Sequence, residues 1–255
     1  MTNYERWRSY TDSLPSPDKY IQWGWLYLVG AALQRRVWCP PSHDRVYPNP
    51  YIIFIGEPGI GKGGVLNAVT DVLSSFKMDG SKSKTDLNKL GLTEAEQATL
   101  VKIKETEMAE VQKSAGKGVD MQLPLLPSGG NATSFQALVI AMAKSYRCIN
   151  YVEFDEKLGK NKMGIYTHSS MYFCLQELGS LFRKYTDDLM VFLNETYDCV
   201  AEYKNDTISR GEDRARKVCL SMLAGTLPEF IQESMDDKLI TGGFASRALF
   251  IYAPK

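Results

Sequence analysis

The segment YIIFIGEPGIGKGGVLNAV, residues 51–69, decides how this chain is read. It passes from an apolar run through a glycine-rich turn into a helix-forming stretch. Residues 51–55 are apolar on both faces, as a central parallel strand covered by helices is. Gly56, Gly61 and Lys62 satisfy the spacing GxxxxGK between that strand and a helix expected over 62–76, the context that separates a phosphate loop from a chance match. Glycines let backbone N–H groups turn toward a phosphate, the helix N-terminus adds the positive end of its dipole, and Lys62 neutralises phosphate oxygens. The residues expected around a nucleotide are Gly56, Glu57, Pro58, Gly59, Ile60, Gly61, Lys62, Gly63 and Gly64. The bland alternative is a glycine turn packed closely against a neighbour. Gly63 stands where such loops carry a Ser or Thr hydroxyl for magnesium, so the cation is expected to rely on phosphates, water and an acidic strand. Binding should survive that departure better than turnover.

Three further apolar segments read as strands: MYFCLQE (171–177), VCLSMLAGT (218–226) and RALFIYA (247–253). Strands alternating with helices imply a mostly parallel sheet with ligands at the carboxyl ends of the strands. The first ends in Gln176 and Glu177, where Asp-Glu is usual. Glu177 is the expected base that polarises an attacking water, with Glu177 and Gln176 holding magnesium through water. Glu153 and Asp155 are the next acids in line. Thr226, ending its strand, either senses a γ-phosphate or is a plain strand-end hydroxyl. Arg247 follows Gly242 and Gly243 and is expected to open the last strand near the active edge, as an arginine finger for a neighbouring subunit or as a surface salt bridge.

Around these strands, NATSFQALVIAMAKSY reads as a helix capped by Thr133 or Ser134, and CINYVEFD with KMGIYTHSS reads as a hairpin. A second hairpin centred on YKNDTISRG carries Lys204 and Arg210, with Arg214, Arg216 and Lys217 following. Lys204, Arg210 and Lys217 are the candidate contacts to a nucleic-acid backbone; a solvated loop is the alternative. Residues 1–48 read as a helical segment, with 21–33 a buried helix too short to span a bilayer. Within residues 79–130, seven lysines between 82 and 117 interleave with six acids and no aromatic residue, the pattern of an exposed helical insertion rather than a DNA patch. The core is accordingly expected over 49–255.

Composition narrows the class. In 255 residues, 30 basic and 30 acidic side chains cancel, so any contact to DNA must be local. Five scattered cysteines with no CxxC pair argue against a disulfide framework or a zinc site, and with no signal peptide legible the expectation is a cytoplasmic protein. His43 and His168 are too isolated for a metal site or catalytic pair.

The set RRVWCPP, VYPNPYIIFIGEPGIGKGG, ATSFQALV, LQELGSLF, LMVFLNETYDC, SMLAGTLPEF and GGFASRALFIY resembles a family of phage and prophage P-loop ATPases of the AAA+ or superfamily 3 type, replicative helicases or helicase–primase components. The likeness covers about 20 to 253 apart from the insertion. In that family Gly after the lysine and a lone EL acid are common. The resemblance implies an α/β P-loop NTPase using ATP and Mg2+, with Lys62 on phosphate, Glu177 in catalysis and Arg247 in the role of its SR motif. It also implies single-stranded DNA, other copies of the chain and a primase or other replication protein as partners, no membrane, and a phage-infected or lysogenic bacterial cytoplasm. Members extend beyond the last strand, whereas this sequence stops at Lys255, which implies that a lid, partner-binding or primase segment is missing from it. Two other readings stay open: a scaffold that binds nucleotide without hydrolysing it, and a small-molecule kinase, which the lack of an Arg-rich lid motif disfavours.

Overall fold

A computed structural model describes residues 1–39, 45–76, 126–129, 135–155, 159–182, 187–207, 211–234 and 243–254. His43, Thr133, Ser134, Arg210, Gly242 and nearly all of the expected insertion lie outside them. The chain divides into two compact units, Met1–Leu73 with Leu126–Lys255, and Ser74–Leu125. The first contains the sheet and every element discussed below, apart from the last two residues of the helix that follows the first strand.

Its elements are α1 (Asn3–Tyr10), α2 (Asp18–Leu33), β1 (Tyr51–Ile55), α3 (Lys62–Ser75), α4 (Phe135–Lys144), β2 (Tyr146–Asp155), β3 (Lys160–Leu175), α5 (Gly179–Phe182), α6 (Asp187–Tyr197), β4 (Glu202–Thr207), β5 (Gly211–Arg216), β6 (Val218–Thr226), α7 (Pro228–Ser234), α8 (Phe244–Arg247) and β7 (Ala248–Tyr252). Five strands form one sheet in the order β2-β3-β6-β1-β7, parallel except for β2, while β4 and β5 pair as a separate hairpin. Chain α/β architecture with a mostly parallel sheet between helices is thus as expected.

The strand period of two explains the layering. Tyr51 and Ile53 point into one core with Met171, Phe173, Leu220 and Met222 of the neighbouring strands and with α4 and α6. Ile52 and Phe54 point into the other, with Tyr172, Leu223 and the apolar faces of α2 and α3. Each fully buried aliphatic or aromatic side chain here contributes about 1.5–3 kcal/mol from leaving water. β1 is therefore apolar at every position because neither face meets solvent.

The expected hairpin 148–170 and the expected strand 171–177 are joined in a way the sequence does not announce. β3 is one continuous strand: its first half pairs antiparallel with β2, and Ser169–Leu175 pairs parallel with β6. It ends at Leu175, so Gln176 and Glu177 lie just beyond the sheet. The polar run His168, Ser169, Ser170 that imitates a break is buried. Burial, reinforced by the positive charges of Arg36, Arg35, Arg147 and Lys217, pushes the His168 imidazole down to about 3. The ring is thus neutral at ordinary pH, with Nδ1 at 2.6 Å from Ser170 Oγ.

α2 is stitched to the sheet at three levels. Tyr20 Oη donates to the Ile55 carbonyl at 2.6 Å, at the end of β1. Two helical turns on, Tyr27 Oη donates to the carbonyls of Phe173 (2.6 Å) and Ser221 (3.2 Å) in mid-sheet. Arg35, just past the helix, donates to the carbonyls of Val218 (2.9 Å) and Cys199 (2.8 Å) and to the hydroxyls of Tyr166 (3.0 Å) and Tyr47 (3.1 Å). Among the described residues no helix is long and apolar enough to cross a membrane.

Because the Tyr27 hydroxyl is fully buried, Tyr27→Phe should destabilise the fold by about 1–2 kcal/mol, the cost of leaving buried acceptors short of a donor. Urea unfolding should show a lower midpoint at unchanged slope.

Candidate functional site

Three parallel strands end side by side. Ile55 is level with Thr226, and Leu175 with Ala224, so the loop after β1, the Gln176–Glu177 pair after β3 and Thr226 share one edge of the sheet. The chain leaves β1 through Gly56 and re-enters helix at Lys62. Between them Gly59 (φ 81°) and Gly61 (φ 92°) hold left-handed conformations that side chains resist. Nothing lies within 4 Å of where a Cβ on Gly59 would stand, so the loop is open on that side.

The back of the loop is closed by the N-terminal segment. Ser16 Oγ donates to the Gly61 carbonyl at 2.7 Å, and a Cβ on Gly61 would run into the Pro15 carbonyl. A Cβ on Gly56 would stand 2.6 Å from Tyr20 Oη. Ser16 and Tyr20 are thus structural supports that motif reading passes over, since nothing in their local sequence refers to residue 56 or 61.

Lys62 Nζ donates to the carbonyls of Gly56 and Glu57, the latter at 3.1 Å. Partial burial lowers the affinity of this amine for its proton, while the carboxylates of Glu177, Glu57 and Glu229 work in the opposite direction without cancelling it. Glu229, on α7, is an acid near the lysine that the sequence reading missed; it comes three residues after Thr226.

On the facing side, Thr226 Oγ1 donates to Glu177 Oε1 at 3.3 Å, with Thr226 buried and Glu177 half-buried. The turn carrying Glu177 is held to β6 by Leu178 N–H donating to the Gly225 carbonyl at 2.7 Å. A Cβ on residue 225 would meet the Gln176 carbonyl at 2.8 Å, so glycine is what lets the turn close there. Gln176 is exposed, and its Nε2 donates to Asn67 Oδ1 of α3 at 2.7 Å. Asn67 is a second residue missed; it lies one helical turn after Gly63 on the same face.

The donors fit the ligands that the loop spacing implies. An open glycine loop with left-handed residues, a helix N-terminus and a lysine suit a phosphate. Oxygen donors alone, from Gln176 and Glu177, face the start of α3, and a hard divalent cation such as magnesium takes oxygen ligands. Among the described residues no group of three or more His, Cys, Asp and Glu gathers into a self-sufficient metal site, so a cation here would depend on phosphate oxygens and water.

Other candidates fall elsewhere. Arg247 does not open β7 near the active edge; it ends α8. Ala248, which follows it, is level with Tyr51 at the opposite edge from the glycine loop. There it binds Asp198 through two parallel bonds, Nε to Oδ1 at 2.9 Å and Nη2 to Oδ2 at 2.6 Å, and donates from Nη1 to the Gly243 carbonyl at 3.0 Å. The strand expected over 247–253 in fact starts one residue later because Arg247 completes a helical turn. Glu153 and Asp155 lie on β2 at the sheet margin, which is separated from β6 by β3.

The hairpin β4–β5 forms as read. Tyr203 and Ala215 are buried, while Lys204 (3.4 Å), Arg214 (3.2 Å) and Arg216 (4.0 Å) gather around Glu202. Lys217 is not on the hairpin's outer face: its Nζ lies 4.0 Å over the Tyr166 ring, at the start of β6. Of the residues expected on nucleic acid, Lys204 thus pairs with Glu202 and Lys217 lies against Tyr166.

Arg247→Ala should cost about 1 kcal/mol, since the pair is partly exposed and screened, and lower Tm by about 3 °C. Asp198→Ala should do the same, the double variant should be little worse than either, and nucleotide affinity should not change. Comparison with protein-family models and with curated proteins finds no match.

Proposed function

We propose that this chain is a P-loop ATPase that hydrolyses ATP with Mg2+ and, at the finer level, the motor domain of a phage-type DNA replication helicase working as an oligomeric ring. The observation that carries the ATPase reading is the meeting of three strand ends: the Gly56–Lys62 loop after β1, Glu177 after β3 and Thr226 closing β6. The helicase reading, with single-stranded DNA and a primase or other replication protein as partners in a bacterial cytoplasm, rests on the resemblance of the motif order.

The residues divide the work as follows. Loop amides and the start of α3 bind the terminal phosphates of a nucleotide. Lys62, now satisfied by the Gly56 and Glu57 carbonyls, exchanges those neutral acceptors for charged oxygens when a nucleotide enters. Gln176 and Glu177 would hold a magnesium ion through water, and the ion would offset phosphate charge. Glu177 orients a water and takes its proton, and the Thr226 hydroxyl fixes where that carboxylate points. In a ring, Arg247 would reach a neighbour's site only by giving up Asp198.

The second reading is a nucleotide-dependent scaffold with little hydrolysis. One observation favours it: Gly63 has no hydroxyl for the cation. A turnover assay with and without single-stranded DNA separates the two, because only the motor is accelerated by the strand.

Lys62→Ala removes the loop's positive charge and leaves its backbone donors, so ATP affinity should fall at least tenfold with an unchanged circular dichroism spectrum. Wild-type affinity in that variant would remove the phosphate-loop reading. Glu177→Gln keeps shape and loses basicity, so ATP should still bind while turnover drops about 100-fold or more. Undiminished turnover would transfer the role of base to another acid, Glu229 being the first to test.

A further inference from the structure

The space beside Gly63 is not empty. A Cβ built on that residue would stand 2.9 Å from Gln176 Oε1, so the amide oxygen fills the place onto which a side chain at position 63 would open. The orientation of the amide is set from its other end: Nε2 donates to Asn67 Oδ1 at 2.7 Å, which turns the carbonyl oxygen, the acceptor, toward the start of α3. Lys62 is the adjacent residue, and the Gln176 backbone is pinned against Gly225. An uncharged oxygen therefore stands at the helix start where a serine or threonine hydroxyl would otherwise be.

From this geometry we infer that Gln176 supplies, across the cleft, the neutral oxygen donor that Gly63 lacks, directed at the nucleotide-bound magnesium or its water shell, with Asn67 as the positioning residue. The inference rests on the nucleotide-site reading above and deepens it. It gives one account of two departures that look unrelated in the sequence. Glycine at 63 leaves room for the longer glutamine side chain, and glutamine at 176 reaches where an aspartate, one methylene shorter, would not. The exchange also removes one negative charge from the site, leaving Glu177 as the acid next to the cation. A residue at 63 and a residue at 176 should then behave as alternatives rather than as independent contributors.

The test is a double-substitution cycle read by nucleotide affinity and not by turnover, using titration calorimetry with ATP in excess Mg2+ and with ATP in EDTA. For each protein the ratio of the two dissociation constants measures the help given by the cation. Gln176→Ala should reduce that ratio about tenfold, the scale on which residues supporting a metal act, and leave affinity in EDTA unchanged. Asn67→Leu should reduce it by a smaller factor, and Asn67→Asp, which still accepts from Nε2, should restore it. Gly63→Ser displaces only the far end of an exposed side chain, so it should fold and keep the parent's ratio. In the Gly63→Ser background, Gln176→Ala should have little further effect. An unchanged ratio in Gln176→Ala, or an equal loss with and without Gly63→Ser, overturns the inference while leaving the nucleotide site standing. A parent protein that binds ATP in neither buffer overturns both.

Discussion

A strand buried on both faces and paired on both edges has only its ends free, and β1 is such a strand. Tyr51 to Phe54 are fully buried, β6 and β7 flank it in register, and helices cover it above and below. Whatever polar groups this strand can offer to solvent or a ligand must therefore lie where the chain leaves it, since the Tyr51 hydroxyl is already bonded inside the core. The glycine loop is that exit, and the structure spends several independent contacts on fixing it. Tyr20 holds the last strand carbonyl, Ser16 holds the carbonyl of Gly61, and α2, which carries Tyr20, is itself tied to β3 and β6 through Tyr27. A loop of glycines loses much entropy on ordering, so external supports of this kind are what keep its amides converged.

Charge in the cleft is arranged by the same economy. Lys62 is partly desolvated and sees three carboxylates, Glu177, Glu57 and Glu229, yet its ammonium bonds only to backbone carbonyls. Carbonyl acceptors satisfy the ammonium without neutralising it. The lysine keeps its charge available for an anionic ligand.

How much of this was legible from residue order depends on whether the deciding contact is local. β1, α3, β6 and the β4–β5 hairpin were readable because their burial pattern or turn residues are written within a few positions. β3 was read as two pieces, a hairpin strand ending at Ser170 and a separate strand from Met171, because the polar run His168, Ser169 and Ser170 interrupts its apolar pattern. Only the tertiary setting, a buried neutral imidazole bonded to Ser170, makes that run compatible with a strand interior. Arg247 was placed at the wrong edge since two glycines and a following apolar run fix the existence of a strand but not which of its ends the arginine adjoins. Asn67 carried no signal of its own, because its partner Gln176 lies far off in sequence and the pairing exists only once β3 has been laid beside β6.

The order of strands in space has a bearing on synthesis. β1 occupies residues 51–55, but its two neighbours are residues 222–226 and 248–252. A chain emerging from the ribosome exposes this apolar strand early, cannot pair its first edge until β6 has appeared, and cannot pair its second until nearly the last residue of β7 has followed. Contacts of such long range are slow to form, and unpaired apolar edges are open to the wrong partner meanwhile. The glycine loop, whose shape depends on β1 being in place, can thus reach its folded form only at the end of folding, when both edges of that strand are paired.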